Sequence, residues 1–503
     1  MNNNALKMIN RIYKPLLIIA FTCILTDLQA QNQVVAKLGL EDAITIAQTQ
    51  SPDALIAKHR FRSSYWEFRS FKAQFMPKLN LDATLPEFNR SISTYTLPNG
   101  QETYVKQNFT SYSSSLSLSK VIGYTGGSIY ARSSLQRLDN NQDSTTNTSY
   151  LSNPITIGYQ QPIFAFNQYY WDHKIDPIKY EEAKQRYLED NEQIALTASN
   201  YFFNLLIAQI QKKTSEINEA NYDTLYQIAK GRYNMGTIAE NELLQLELNL
   251  LKSQSDLENA LLEVENAMFR LKSFLRLKGT EKIDLTAPDE AYFFDIPIGE
   301  ATEQAHKNRS SALAFDRRLL EAQMNVNQAK RDNRFSANLS VEYGLNGNAE
   351  TIPDVYKNPD DNQQLSLGIH VPILDWGQAK GRIKMAESNA ELVKTSVEQE
   401  KLDFDQEIFL AVMQFNMQKN QLKIAAKSDT VANKSFQVAK ARYMIGRISI
   451  TDLNIAQSEK DQARSGYIRA LQRYWVNYFN LRKLTLYDFR QKRNITADLN
   501  KLM

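Results

Sequence analysis

Residues 229–236, with the sequence AKGRYNMG, recur 210 positions later as residues 439–446, with the sequence AKARYMIG. The segment 155–162, ITIGYQQP, recurs at the same displacement as residues 365–372, LSLGIHVP. The first segment has a helical pattern and the second a strand pattern, yet both keep one register. The chain is therefore predicted to contain one structural module twice.

Each repeat is predicted to begin with an amphipathic helix, over residues 40–73 and 298–332, because apolar side chains recur there at helical spacing. The pattern then changes to the alternation of a β-strand, from Leu79 in the first repeat and from Leu339 in the second. The repeats are thus expected to carry strands between their helices.

Two long helices follow in each repeat and are expected to form an antiparallel hairpin. They are predicted over about residues 170–234 and 240–277, and over about 378–444 and 451–486. At a rise of about 1.5 Å per residue, the longer helices extend over roughly 100 Å. Such lengths are typical of coiled-coil-like helices with neighbours on two sides, rather than of helices on a globular core.

The strand segments alternate apolar residues with small or polar ones, most clearly at Ile155, Ile157 and Tyr159 and at Leu365, Leu367 and Ile369. A transmembrane barrel strand has this pattern because one face meets lipid and the other water. A half-buried strand of a soluble sheet has the same pattern. The leader segment and the long helices favour the barrel.

The repeats differ in the length of their strand regions. About 75 residues separate Leu79 from Pro154, against about 26 between Leu339 and Leu365. The surplus contains more alternation over residues 113–120 and 128–138, and residues 139–153 are predicted to form an exposed polar loop. The sequence leaves open whether the surplus adds membrane strands or an external flap.

The first 30 residues have the layout of a secretory signal peptide: basic residues precede an apolar run over 16–25, and cleavage is predicted before Gln31. The alternative is a lipoprotein anchored through Cys23, the one cysteine of the chain. After cleavage the chain would be nearly neutral, which gives no electrostatic basis for binding nucleic acid.

No enzymatic or metal-binding motif is present in the sequence. The four histidines, His59, His173, His306 and His370, lack metal-ligand spacing. There is no nucleophile elbow, P-loop or dinucleotide fingerprint. We expect a protein without catalytic activity, cofactor or metal.

One chain supplies four clear strands, which are too few to close a barrel. An open sheet in lipid would leave backbone groups at its edges without hydrogen bonds. The chain is therefore predicted to oligomerise, and three copies would contribute twelve strands.

These features resemble the TolC family of outer-membrane efflux proteins, the outer membrane factors. The resemblance rests on the junctions at residues 161–164 (QPIF) and 371–374 (VPIL), and on Arg-Tyr-x-x-Gly at each hairpin tip with an acid six residues after the glycine. It covers residues 40–488. The implied fold is a mixed α/β membrane protein with duplicated helical hairpins that form an α-barrel, and with transmembrane β-barrel strands that close only in a homotrimer.

The resemblance also implies a function and a domain plan. The protein would be the outer-membrane duct of a tripartite efflux or type I secretion system, with its helical part in the periplasm. Its partners would be a periplasmic adaptor, an inner-membrane proton-driven or ABC exporter, and outer-membrane lipid. The expected domains are a signal peptide (1–30), a first repeat (31–285), a second repeat (286–488) and a C-terminal tail (489–503).

A gate is the first site that the resemblance implies. The family closes its periplasmic mouth with an acidic ring after the second tip, held by a tyrosine before the glycine. Asp452 and Tyr443 fall on those positions, Ile455 falls on that of a second acid, and Glu242 is the equivalent acid of the first repeat. The alternative is that Asp452 and Glu242 are ordinary first-turn acids, which the helix dipole favours.

Two further sites are expected. The tips, Gly236, Thr237 and Ile238 with Gly446, Arg447 and Ile448, would dock the adaptor, unless the isoleucines pack back onto their own hairpins. The strand–helix junctions would place aromatic and apolar residues at the membrane interface, or else form a local core; the residues concerned are Pro162, Phe164, Trp171, Pro372, Leu374 and Trp376.

Two other protein classes also use long helical hairpins, namely periplasmic adaptors and coiled-coil scaffold proteins. An adaptor carries one hairpin rather than two in register, and a scaffold has no use for duplicated strands. The transported substrate is not encoded in any motif of the chain.

Overall fold

A computed structural model describes residues 36–142, 145–278, 282–288 and 293–503. The predicted signal peptide, including Cys23, lies outside these ranges. The elements in chain order are β1 (Ala36–Leu38), α1 (Leu40–Gln50), α2 (Pro52–Gln74), β2 (Lys78–Thr96), β3 (Glu102–Ile122), β4 (Gly127–Gln142), β5 (Thr145–Ile163), α3 (Gln168–Asn234), α4 (Glu240–Leu275), β6 (Ile283–Leu285), α5 (Ile298–Asn308), α6 (Ser310–Asp332), β7 (Ser336–Ala349), β8 (Asp360–His370), α7 (Gln378–Met444), α8 (Ile450–Thr485), β9 (Tyr487–Asp488) and β10 (Arg493–Asn494).

The chain divides into two compact units, and each draws on both predicted repeats. The helical unit consists of Met1–Leu55, Ile194–Phe293 and Met417–Phe479. The sheet unit consists of Ile56–Gln193, Phe294–Asn416 and Asn480–Met503.

The four long helices α3, α4, α7 and α8 agree with the sequence-based expectation to within two residues at each end. None of the helices in the described ranges is both long and apolar enough to cross a bilayer. Buried side chains recur along α3 from Ile175 to Ala229 and along α4 from Leu246 to Leu275, and the fully buried ones include Phe202, Phe203, Leu205, Leu246, Leu271 and Leu275. An amphipathic helix of this kind is stabilised mainly by packing of its apolar face.

The predicted N-terminal helix of each repeat is two helices in the structure. The first breaks at Ser51, whose ψ is 153°, because the following Pro52 disfavours a helical conformation of the residue before it. The second breaks at Arg309, whose ψ is 141°. There the backbone N–H and hydroxyl of Ser310 donate to the Glu189 carboxylate, at 2.7 and 2.9 Å. The prediction of one continuous helix in each repeat is therefore wrong.

The sheet unit contains a six-stranded antiparallel sheet in the order β2-β3-β4-β5-β7-β8. The surplus of the first repeat forms β3 and β4, which pair with each other and with β2 and β5. The surplus is thus part of the sheet, and the described chain supplies six strands to it instead of four.

The polar loop predicted over residues 139–153 is also strand, except for residues 143 and 144, which lie outside the described ranges. Asp139 pairs with Thr148 across β4 and β5, and its carboxylate accepts hydrogen bonds from Arg137 at 2.9 Å and from Thr148 at 2.8 Å. The prediction failed because the ladder uses backbone groups, and polar side chains on both faces remove the apolar alternation that identifies a strand.

One face of the sheet is apolar and exposed across all six strands. The strand register aligns these side chains, since Leu79 pairs with Leu118, and Val341 pairs with Leu365. Their exposed fractions lie between 38% and 75%, and the set comprises Leu79, Leu81, Leu116, Leu118, Ile129, Ile157, Val341, Tyr343, Leu365 and Leu367. We call this set the apolar sheet face.

The opposite face is polar and includes a contact that crosses a glycine. Tyr130 and Glu342 both lie beside Gly158 in the register, and the Tyr130 hydroxyl donates to the Glu342 carboxylate. A Cβ at Gly158 would lie 2.2 Å from the Tyr130 ring. Only glycine therefore lets the tyrosine ring cover this strand.

The segment between the repeats and the C-terminal segment are both packed. β6 pairs in parallel with β1, and Gln209 of α3 bonds β6 at both ends, donating to the Ile283 carbonyl at 2.7 Å and accepting from the Leu285 N–H at 3.1 Å. In residues 489–503, expected to be a tail, Phe489 is buried, and Leu499 and Leu502 pack beside Phe61.

We predict that Gly158→Ala weakens the sheet by about 1–2 kcal/mol, because Tyr130 must leave Glu342 and a half-buried hydrogen bond is lost. The measurement is thermal unfolding of the purified protein. Gly368→Ala, at the equivalent position of the second repeat, is the control, since its Cβ meets only the Asn338 carbonyl at 4.0 Å. Equal melting temperatures for Gly158→Ala and Gly368→Ala would contradict this prediction. So would an equally large destabilisation by Gly158→Ala in a Tyr130→Phe background, where the hydrogen bond to Glu342 is already absent.

Candidate functional site

The two hairpin tips have the same backbone geometry. Gly236 and Gly446 adopt φ of 72° and 73°, the left-handed conformation that glycine takes without a steric cost. In the first tip the Thr237 N–H bonds the Arg232 carbonyl at 3.0 Å, and in the second the Arg447 N–H bonds the Arg442 carbonyl at 2.9 Å. This Schellman motif ends α3 at Asn234 and α7 at Met444, the positions at which the sequence analysis placed the helix ends.

Arg232 links the first tip to the second within the chain. Its guanidinium donates to the Met444 carbonyl at 2.8 Å and lies over the Tyr443 ring, 5.9 Å from the ring centre. The arginine thus satisfies one of the carbonyls that the end of α7 leaves without a helical partner.

Tyr443 lies in the core beneath this contact, and its side chain is 6% exposed. Burial is the main cause that raises the pKa of its hydroxyl, the charge of Arg232 lowers it, and that of Glu242 raises it. The core cluster contains Leu225, Ala229, Leu246, Phe436, Ile450, Leu453 and Ala456 with Tyr443. Two of the three predicted gate residues, Tyr443 and Glu242, therefore lie close enough to interact electrostatically.

Asp452 is engaged at the start of α8. Its carboxylate accepts hydrogen bonds from the Ser449 N–H at 3.1 Å and the Ser449 hydroxyl at 2.8 Å, and the Ser449 hydroxyl accepts from the Asp452 N–H at 3.2 Å. This is the reciprocal pattern of a capping box. Asp452 and Ile455 are both exposed on the same helix.

Ile238 and Ile448 pack against the core cluster of their own hairpins, which is the alternative that the sequence left open for them. The exposed residues of the predicted tips are Gly236, Thr237, Gly446 and Arg447. Sequence reasoning missed two exposed apolar side chains beside them, Met235 (71% exposed) and Ile445 (65%). Their position between the last helical turn and the glycine could have identified them, because side chains there point away from the hairpin core.

Behind the tips, α3 and α8 meet through a polar layer. The Asn218 amide donates to the Asp461 carboxylate at 2.7 Å, and Gln457 donates to the same oxygen at 3.0 Å. The Tyr222 hydroxyl donates to the Asn454 side chain at 3.2 Å. Burial and the Asp461 charge raise the pKa of Tyr222. Sequence analysis did not single out this layer.

The junction residues fall into two groups. Phe164, with φ of 64°, packs on Phe335 with ring centres 5.6 Å apart, and the Arg334 guanidinium lies over its ring. Leu374 and Trp376 are 71% and 90% exposed. Phe164 is itself 51% exposed, so it makes a local aromatic contact without being buried, whereas Leu374 and Trp376 are largely exposed.

The other junction residues are less prominent. Pro162 pairs with Asn338 at the end of β5, and Pro372 is exposed just after β8. Trp171 packs edge-on against Tyr170, and the Lys174 ammonium lies over its ring. Within the described ranges no group of three or more His, Cys, Asp or Glu side chains is arranged to hold a metal ion.

The sequence profile of the outer membrane efflux protein family matches residues 122–275 and 301–485, more than half of the chain. The chain belongs to the outer membrane efflux protein family. The two matched segments of this efflux protein fall one in each predicted repeat, and each contains one of the hairpins. No curated protein sequence matches it.

The efflux protein shares its fold with solved outer membrane channels. It is similar to CmeC of Campylobacter jejuni, with a TM-score of 0.64 and 16% identity over 92% of this chain and 88% of CmeC. For the open state of MtrE of Neisseria gonorrhoeae the TM-score is 0.60, with 14% identity over 91% of both chains. For VceC of Vibrio cholerae these values are 0.58 and 14%, over 89% of this chain and 95% of VceC.

We predict that Arg232→Ala loosens the tips of the efflux protein, because the Met444 carbonyl loses its donor and Tyr443 loses the covering cation. Amide hydrogen exchange over residues 436–450 should become faster, by a factor that corresponds to about 1 kcal/mol. Arg447→Ala is the control, since that arginine is exposed at the same end of the hairpin. Equal exchange in both variants would show that the Arg232 contact contributes nothing.

Proposed function

We propose that the protein is the homotrimeric outer-membrane duct of a tripartite efflux or type I secretion system. The observation that carries this proposal is the apolar sheet face, which is exposed and continuous across six strands of a chain in the outer membrane efflux protein family. A soluble monomer rarely exposes such a surface. Lipid is the natural solvent for it, and the polar face would then line an aqueous channel.

The edge strands support oligomerisation. β2 and β8 each pair on one side only in the described sheet. In lipid the other side must find backbone partners, and pairing β8 of one copy with β2 of the next would close the sheet into a barrel. With six strands per chain, three copies would form a barrel of eighteen strands in place of the twelve expected from sequence. Barrels of 16–18 strands leave an aqueous channel.

The helical hairpins would extend into the periplasm, and the junctions would lie at the membrane surface. Trp376 and Leu374, both largely exposed, suit an interfacial belt, where aromatic rings meet lipid head groups. Phe164 and Trp171 would support this belt from the packed side.

The tips would dock a periplasmic adaptor that links the duct to an inner-membrane proton-driven or ABC exporter. Gly236, Thr237, Gly446 and Arg447 would contribute with Met235 and Ile445, the exposed apolar side chains of the tips. Ile238 and Ile448 would support the tips from within. The exporter would select the substrate, and the duct itself would carry out no catalysis.

The gate would combine Asp452, Tyr443 and Glu242. Three symmetry-related Asp452 carboxylates around a narrow mouth would repel one another and favour cations. Tyr443 and Arg232 would hold the tips together, and Glu242 would add negative charge beside them.

We predict that Asp452→Ala increases the time that single channels spend open in planar bilayers, because the mutation removes both the ring charge and the helix cap. Asp452→Asn separates these causes, since the asparagine side-chain oxygen can still accept the hydrogen bonds from Ser449 but carries no charge. If both variants open the channel, the charge closes it. If only Asp452→Ala opens the channel, the closed state depends on the capping box of α8, and the charge of the acidic ring does not contribute to it.

Wild-type protein provides the test of the duct itself. A folded trimer that forms no channel would refute the proposed function and favour the adaptor or scaffold alternatives.

We predict eighteen barrel strands for the purified trimer, counted in an electron cryo-microscopy map of the protein in lipid nanodiscs. Deletion of residues 102–142, which contain β3 and β4, should reduce the count to twelve and lower the open-channel conductance. Twelve strands in the wild type would show that β3 and β4 lie outside the barrel.

A further inference from the structure

The contact between the two tips has a counterpart that a single chain cannot make. Within the chain, Arg232 of the first repeat binds the Met444 carbonyl and the Tyr443 ring of the second. Each of these residues has an equivalent in the other repeat, 210 positions away. Arg442 is equivalent to Arg232, Asn234 to Met444, and Tyr233 to Tyr443. Both repeats therefore carry the arginine and the tyrosine, but each chain brings together only one of the two possible pairs.

The second pair is exposed. Tyr233 is 39% exposed, whereas Tyr443, the same residue type at the equivalent position, is 6% exposed. Arg442 is exposed as well. The first-repeat tip thus offers a tyrosine, and the second-repeat tip an arginine, to something outside the chain.

The helix faces behind these residues show the same asymmetry. Within the chain α3 contacts α8 through the core cluster near the tips and, behind it, through a polar layer, with Asn218 on Asp461 and Tyr222 on Asn454. By the same repeat, α7 is the equivalent of α3, and α4 is the equivalent of α8. The faces that correspond to this contact, on α7 and α4, are therefore expected to meet between copies.

Those faces carry exposed aliphatic side chains in place of the polar ones. On α4, Leu244 and Leu251 occupy the positions equivalent to Asn454 and Asp461, and they are 55% and 58% exposed. Along α7 and at the first residue after it, an exposed apolar side chain recurs every seven residues: Ile424, Val431 and Val438 lie on the helix, and Ile445 follows its end. A seven-residue apolar repeat is the pattern of a helix that packs lengthwise against another helix.

A groove on α7 and α8 marks where the partner would lie. It is lined by Ile424, Ser428, Val431 and Ala432 among others. Ser428 and Ala432 are equivalent to Asn218 and Tyr222, which α8 covers within the chain. A leucine face such as that of α4 matches this groove in apolar character.

We propose that, in the trimer, Arg442 of one copy binds the next copy as Arg232 binds within the chain: its guanidinium donates to the Asn234 carbonyl and lies over the Tyr233 ring of the neighbouring copy. This inference rests on the proposed trimer. The leucines of α4 in the neighbouring copy fill the groove on α7 and α8. The closed mouth is then held by six arginine–tyrosine contacts, three within chains and three between them.

The two kinds of contact differ in the helix surfaces behind them. Within a chain, the contact of α3 with α8 combines the apolar core cluster near the tips with the polar layer of Asn218, Tyr222, Asn454 and Asp461. Between copies, the corresponding contact of α7 with α4 would be aliphatic at the positions of Asn454 and Asp461. Because apolar surface resists hydration, the contact between copies keeps the trimer together while the polar layer within each chain exchanges its hydrogen bonds with water and adjusts.

The test is chemical crosslinking of two cysteine pairs in the full-length protein, with Cys23→Ser as background. The test pair is Arg442→Cys with Asn234→Cys. The matched control is Arg232→Cys with Met444→Cys, which has the same geometry within one chain and whose second position is likewise exposed. After treatment with a short bis-maleimide, the test pair should give covalent dimers and trimers on a denaturing gel. The control pair should react within single chains and keep the mass of a monomer.

The outcomes separate this inference from the proposed function. If the purified protein is trimeric by light scattering and the control pair reacts, but the test pair yields only monomers, the proposed contact is overturned. If no trimer forms from the wild type, the proposed function fails as well.

A conductance measurement tests the contact without cysteines. Arg442→Ala and Arg232→Ala should each raise the open probability several-fold, and to a similar extent, because they remove equivalent contacts. Lys230→Ala, which removes an exposed cation of α3 close to the tips, should leave the open probability at the wild-type value. An Arg442→Ala channel that gates like the wild type would overturn the proposal.

Discussion

The exposed edges of the six-stranded sheet constrain the rest of this protein. β2 and β8 each leave one side without hydrogen-bond partners, while the apolar sheet face suits lipid. Lipid offers no hydrogen bonds to backbone groups, so these two properties are compatible only when copies of the chain complete one another's edges. The need for several copies then extends to the hairpins, where exposed aliphatic side chains on α4 and α7 also require partners.

Duplication explains how one chain can supply both kinds of helix contact. The two hairpins share their Schellman ends, their arginine–tyrosine pairs and their lengths, so they can occupy equivalent places around an axis. They have diverged at the contact faces: Asp461 and Asn454 of α8 correspond to Leu251 and Leu244 of α4. A contact face with a polar layer within the chain, and exposed aliphatic side chains at the equivalent positions of α4, let the monomer fold with its own hairpins paired and still associate with other copies.

The tips show how a site residue can serve structure and function together. The capping box of Asp452 and Ser449 begins α8, and the same carboxylate is exposed where a gate would need charge. Tyr443 is buried in the hairpin core yet lies under the cation of Arg232. A change at either residue would therefore alter both the stability of the helices and the electrostatics of the mouth. A variant that keeps the hydrogen bonds but removes the charge, such as Asp452→Asn, separates the two effects.

The sequence by itself determined the duplication, the four long helices and the glycine-terminated tips, because periodicity and backbone freedom are local properties. It also indicated the family through motifs at a fixed spacing. Only the tertiary structure decided that the surplus of the first repeat joins the sheet as β3 and β4, that Ile238 and Ile448 pack inward, and that Arg232 reaches Met444. Arg232 and Met444 are 212 residues apart in the chain, and the isoleucines pack into a cluster that both hairpins build, so these contacts exist only once the hairpins have met. The polar part of β4 near Asp139 can be identified as a strand only from the backbone hydrogen bonds that it makes with β3 and β5. Those partners cannot be read from the sequence pattern.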